Sequence, residues 1–144
     1  MSRLLLMFVF VIGIILPVYA FDMPLSVKDQ WQNEITLGEK AVYSQDYDNA
    51  ELHFNAAINI ATSNKLEAID FRVIPMNYLI AINDQQDRLD KAKQLAVETM
   101  SIIEKAGNPP SLCVAHTARL FGRIYLLQND FDKAFPLFKK AMNE

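Results

Sequence analysis

Cysteine occurs once in the 144 residues, as Cys113. A lone cysteine rules out an intramolecular disulfide, so packing must hold the fold, and the residue itself reads as a small buried apolar group. Glycine is scarce, four in all, which excludes a glycine-rich phosphate loop built from consecutive turns. The two histidines, His53 and His116, are not spaced as a metal pair and no Cys/His cluster accompanies them, so no metal site is expected. Basic blocks are also missing. With 14 Lys and Arg against 17 Asp and Glu the net charge is −3, which makes nucleic acid or an anionic membrane surface a poor partner. The carboxylates Asp46, Asp48, Asp84, Asp87, Asp90, Asp130 and Asp132 fall at expected helix ends and turns. Capping and solubility are their natural work there, and no convergent pair suggests acid–base catalysis. The chain therefore reads as a non-enzyme with no cofactor.

What is present begins at the N-terminus. Met-Ser-Arg precedes an unbroken apolar run from Leu4 to Leu16, then Pro17, Val18, Tyr19 and Ala20. A positive start, a short apolar core and small residues at −3 and −1 of a cut after Ala20 are the pattern of a secretory signal peptide over residues 1–20. An uncleaved anchor is the alternative, but a spanning helix needs about 20 apolar residues, and Pro17 and Asp22 interrupt this stretch early. Removal of Arg3 with the leader leaves 13 positive against 17 negative side chains, a net charge of −4 on residues 21–144. That length suits one domain with a continuous core, exported to a periplasmic or secreted location.

Sliding the chain against itself reveals a 42-residue period. Tyr47-Asp48-Asn49-Ala50 aligns with Leu89-Asp90-Lys91-Ala92 and with Phe131-Asp132-Lys133-Ala134; Phe54, Ala96 and Phe138 follow, then Ala57, Thr99 and Ala141. Upstream, Leu37-Gly38 falls over Leu79-Ile80 and Phe121-Gly122. A small residue in a first helix lets a second helix cross closely. The Asp at 48, 90 and 132 is placed to cap that second helix, and the Ala and Phe that follow share one face of it. Each unit reads as helix, tight turn, helix.

Gly38, Tyr47, Ala50, Phe54 and Ala57, with their counterparts Gly122, Phe131, Ala134, Phe138 and Ala141, resemble the tetratricopeptide repeat family. The 42-residue spacing and Ala134-Phe135-Pro136-Leu137-Phe138 are similar to the longer subclass typified by kinesin light chains, in which a proline occupies the first turn of the second helix. Unit two departs from the pattern at Ile80, Leu89 and Ala96. The resemblance implies an all-α, right-handed array of three antiparallel helical hairpins, over about 26–63, 66–106 and 110–144. Ser26 with Asp29 suggests a capping box opening the first helix, Gly107 a helix stop, and Asn108-Pro109-Pro110-Ser111 a linker. Pro75 should start its helix late or kink it. Trp31, Tyr43, Tyr47, Phe54, Tyr78, Tyr125, Phe131 and Phe138 are expected mainly in the core.

By the same resemblance the first helices line a concave groove. Its outward positions would include Gln32, Ile35, Glu39 and Val42, then Asn77, Ala81 and Asp84, then His116, Arg119 and Arg123. The two arginines, one turn apart on one helix face, suit a carboxylate or phosphate. The carboxylate clamp of cochaperone members is absent, since Ile35 and Glu39 stand at its Lys and Asn positions. A second contact surface is expected at the C-terminal edge. The sequence stops at Glu144 without a polar capping helix, and Phe135 and Leu137 stand where unit one has Glu51 and His53, offering a docking site or homodimer interface. The resulting expectation is a protein-binding adaptor or assembly factor outside the cytoplasm. A structural subunit of an envelope or secretion complex, or a groove-binding small-ligand sensor, are the alternatives.

Overall fold

The computed structural model describes residues 26–143; the leader and its cleavage site lie outside them. Among the described residues the chain forms helices and no strand. They are α1 (Val27–Tyr43), α2 (Tyr47–Ser63), α3 (Asp70–Gln85), α4 (Leu89–Lys105), α5 (Leu112–Leu127) and α6 (Phe131–Asn143). Consecutive helices pack pairwise, and the first helices α3 and α5 also pack side by side. No described helix is long and apolar enough to cross a membrane.

The 42-residue period reappears in the backbone of the turns. Gln45, Asp87 and Asn129 occupy the left-handed region, with φ of 60°, 57° and 58°. Beside each, the same pair of bonds closes the helix. Gln45 N–H donates to Val42 C=O and Asp46 N–H to Ala41 C=O, and both are repeated at Asp87 and Arg88 and at Asn129 and Asp130. This is a left-handed helix end that satisfies carbonyls with no partner inside the helix. The turn delivers residue 46, 88 or 130 to the cap of the next helix, two residues earlier than expected. Asp46 Oδ1 accepts from Asn49 N–H at 3.3 Å and Asp130 Oδ1 from Lys133 N–H at 3.4 Å. Asp48, Asp90 and Asp132 are already helical, where their charge favours the positive helix end instead. Arg88 takes the cap position in unit two without a side-chain cap bond; it pairs with Glu51 of unit one and bonds to Gln86. The expected capping pair meets at the start of α1, with Ser26 Oγ accepting from Asp29 N–H at 3.1 Å and its hydroxyl donating to Asp29 Oδ2 at 2.7 Å.

Pro75 and Pro136 both lie inside helices. α3 begins at Asp70, five residues ahead of Pro75, and runs through it. Proline has no N–H to donate to the carbonyl four residues back, which is that of Phe71. The indole Nε1–H of Trp31, on α1, fills this gap by donating to Phe71 C=O at 2.8 Å, and the two rings meet edge-to-face with centroids 5.0 Å apart. Pro136 lies in the second turn of α6, not the first.

The crossing of each hairpin explains the unit-two departure. A Cβ on Gly38 would stand 2.7 Å from the ring of Phe54, and one on Gly122 would stand 3.1 Å from that of Phe138. In unit two the large and small partners are exchanged: Ile80 replaces glycine, Ala96 replaces phenylalanine, and both are fully buried in one cluster. Volume at the crossing is conserved while the bulk moves to the other helix.

Two aromatic assignments need correction. Tyr43, at the end of α1, is 94% exposed, and Phe131, at the start of α6, is 60% exposed. Tyr47, Tyr78, Tyr125 and Phe138 are half-buried. For Phe131 and Phe138 the cause is position: among the described elements α6 packs on α5 alone, so its outer side lacks the covering that Tyr47 and Phe54 receive from α3.

Candidate functional site: the groove between the first helices

α1, α3 and α5 line one face of the array, and polar contacts join them there. The Tyr78 hydroxyl donates to Glu39 Oε1 at 2.5 Å, linking α3 to α1. Burial, and then this bond to a carboxylate, push the Tyr78 phenol up to about 12. Asn77 Nδ2 donates to Cys113 C=O at 2.9 Å and Asn77 Oδ1 accepts from Thr117 Oγ1 at 2.8 Å, fixing α5 against α3. Further along, Arg123 Nε lies 3.1 Å from Asp84 Oδ2.

Between α3 and α5 a cavity of about 330 Å3 opens. α3 contributes Ile74, Asn77, Tyr78 and Ala81; α5 contributes Leu112, Cys113 and His116. Its lining is mostly apolar with a few polar groups, the usual make-up of a binding cleft. The Cys113 thiol is held by Asp70, donating to Oδ1 at 2.8 Å. Burial, and after it this bond, push the thiol up to about 11. His116 is lowered, by burial first and then by the Arg119 guanidinium.

Of the residues expected along the groove, Asn77, Ala81 and His116 come together at the cavity, although Asn77 is itself buried under α5. Gln32, Glu39, Arg119 and Arg123 are exposed, and Val42 and Ala81 are half-buried. Ile35 is a correction: it is 3% exposed, because it lies one turn from Trp31 on the same helix face and enters the core with it. Asp84 is buried too, and its pairing with Arg123 means that the two arginines do not form a free anion clamp. Ile74, Tyr78, Leu112 and Cys113 were not anticipated. Ile74 had a signal, since it falls midway between Gln32 and His116 in the 42-residue register; the others had none. At the C-terminal edge Phe135 is 72% exposed, joined on that side by Phe131 and Met142. Leu137 instead folds inward against the core.

His53 lies away from the cavity, its Nδ1 2.8 Å from Glu34 Oε2 within the first hairpin. Among the described residues no three His, Cys, Asp or Glu side chains gather as metal ligands would.

The comparisons with known proteins agree with this architecture. A family model described as tetratricopeptide repeat matches residues 73–143. The N-terminal domain of stress-induced protein-1 (STI-1) from C. elegans superposes with a TM-score of 0.63 at 19% identity, over 83% of this chain and 87% of that one. At that identity the likeness speaks for the fold alone. No curated protein sequence matches the chain. The described residues therefore have a tetratricopeptide-type helical repeat fold, and residues 73–143 carry the sequence signature of that repeat.

Proposed function

We propose that this chain is a non-catalytic adaptor or assembly factor that holds a protein or peptide partner in its concave groove, outside the cytoplasm. Tetratricopeptide repeats generally mediate protein–protein interaction, and the observation that carries the proposal here is the apolar cavity between α3 and α5, in the groove that such repeats use. The leader over residues 1–20 supports export, with Phe21 as the mature N-terminus. Intact-mass measurement of the exported chain should return residues 21–144, and a mass retaining the leader would favour an anchored protein.

A photocrosslinker at Ala81 or Leu112 should capture the partner in the native compartment, whereas one at Asn55 on α2 should not. Ala81→Trp, which fills the cavity, should abolish capture without loss of helicity. A second surface is favoured by the stripe of Phe131, Phe135 and Met142 on α6, whose spacing places them on one helix side. Sedimentation of the wild type against Phe135→Glu, Met142→Glu reads self-association through that stripe directly. If capture persists in Ala81→Trp but is lost in the α6 variant, the partner sits at the edge and the groove reading fails.

A further inference from the structure

We infer that the apolar stripe on α6 is the seam of a closed dimer, in which α6 pairs antiparallel with α6 of a second copy; this rests on the second surface proposed above and not on the groove. Phe131, Phe135 and Met142 are 60%, 72% and 78% exposed, and among the described residues α6 packs on α5 alone. With the half-buried Phe138, these three fall within about 60° of helix surface. Their spacing of four, three and four residues is that of a two-helix seam.

A second copy has two ways to cover this stripe, and the sequence of α1 removes one. Within the chain α3 sends Phe71, Ile74 and Tyr78 into the cluster that holds Phe54, and the Tyr78 ring stacks on that of Phe54 with centroids 4.5 Å apart. The corresponding residues of α1, 42 positions earlier, are Asp29, Gln32 and Thr36, all exposed. They bring no ring or apolar group to lay on α6, so stacking a copy's α1 there as a further repeat gains little. What remains is α6 against itself, and an interface made of one patch used twice closes at two copies.

Charge sets the direction. Asp132 and Lys139 stand seven residues apart on one flank of the stripe, and among the described residues neither side chain has an ion pair or hydrogen bond. Lys133 and Lys140 are on the far side of the helix, Lys133 held by Asp130 at 2.5 Å and Lys140 by Asn108 at 2.8 Å. Turned end to end the stripe matches itself, with Phe131 against Met142 of the copy and Phe135 against Phe138. The same register brings Asp132 beside Lys139 of the copy, offset by about 3 Å along the axis, and the twofold repeats the pair. A parallel arrangement sets Lys139 against Ala134 of the copy instead, a residue buried beneath α5, and forms no ion pair. Unlike charges therefore select the antiparallel seam. One short helix from each copy makes a small interface, so the dimer is of the reversible, transient class. It carries two grooves, which lets a partner with two binding segments engage both.

The test uses the chain in the form that the intact-mass measurement returns, with sedimentation equilibrium for affinity and native mass spectrometry for composition. The wild type should show a reversible monomer–dimer equilibrium. Asp132→Lys alone and Lys139→Asp alone should each dimerise about tenfold more weakly, since symmetry turns two exposed attractions into two repulsions. The Asp132→Lys, Lys139→Asp double variant should regain the loss. It keeps the unfavourable charge at both helix ends, so its recovery reports the pairing and not helix stability. Mixing the two single variants should give heterodimers in excess over both homodimers. A dimer lost in Phe135→Glu, Met142→Glu but indifferent to the charge variants and to mixing would overturn this inference and leave the stripe as the contact surface. Growth beyond two copies would overturn the closed pair. A wild type that stays monomeric at its highest concentration, or association unaffected by Phe135→Glu, Met142→Glu, would overturn both the inference and the stripe reading. Phe135→Ser, at the same exposed position, takes the place of that variant if it loses helicity.

Discussion

Phe54→Ala should destabilise the fold by about 3–5 kcal/mol, the range for removing a fully buried aromatic ring. Its ring is wholly buried, faces Gly38 on one side and stacks on Tyr78 with centroids 4.5 Å apart. Phe138→Ala removes the equivalent ring in unit three, but from a half-covered site, and should cost roughly half as much. Denaturant unfolding monitored by helicity separates the two. Equal costs would contradict the asymmetric burial; a Phe54→Ala cost below about 1 kcal/mol, an ordinary mutational effect, would contradict the crossing itself. Unit two supplies a sharper form of the experiment. Gly38→Ile alone should be severely destabilising, because even a Cβ would lie 2.7 Å from the Phe54 ring. Combined with Phe54→Ala it recreates the Ile80 and Ala96 arrangement. The pair should then recover part of the loss, with a coupling of about 1 kcal/mol or more, as expected of residues in direct contact.

Cys113 should alkylate with iodoacetamide at pH 8 about 250-fold more slowly in the folded chain than in urea. The thiolate is the reactive form. A thiol pushed up to about 11 is ionised only to about one part in a thousand at that pH, against roughly a quarter for an ordinary cysteine near 8.5. Asp70→Asn, which removes the negative charge but keeps a hydrogen-bond acceptor, should raise the folded rate; no change would remove Asp70 as a cause. The same shifts fix the direction of the alkaline response. Cys113 and Tyr78 are both raised on folding, so their neutral, proton-bearing forms are favoured in the native state. Their stabilising effect is complete only below about pH 7.5, where both are protonated folded and unfolded alike. It falls as pH rises through about 8.5, where an unfolded cysteine ionises, toward 11 and 12. A denaturation midpoint that stays level from pH 8 to 11 would contradict both assignments.

The period that makes the fold legible in the sequence is carried by contact residues. Gly38 against Phe54 and Gly122 against Phe138 are size constraints, and size is visible in a residue's identity. The turns were less legible for the opposite reason. Gln45, Asp87 and Asn129 adopt a left-handed backbone without a glycine to mark it, so the capping role slid two residues, from Asp46 to Asp48 and from Asp130 to Asp132. In the groove, the family resemblance implied outward positions that include Ala81 and His116, which do line the cavity, but it could not tell outward from inward within a helix that is covered on several sides. Ile35 went inward with Trp31, and Asn77 was buried by bonds to Cys113 and Thr117. Tyr78 and Leu112 become wall residues only because α3 and α5 lie side by side, a relation between helices that no single helix pattern contains.

Trp31 is the only tryptophan in the chain, and its indole closes the carbonyl that Pro75 leaves open across the seam between α1 and α3. The intrinsic fluorescence of this protein is therefore a local optical gauge of whether the first hairpin is docked, not a gauge of global order. In a repeat array, where each hairpin contacts only its neighbours, end units can detach before the rest unfolds. Comparing the emission transition with the loss of helicity measures, without any label, the range over which one repeat feels the next.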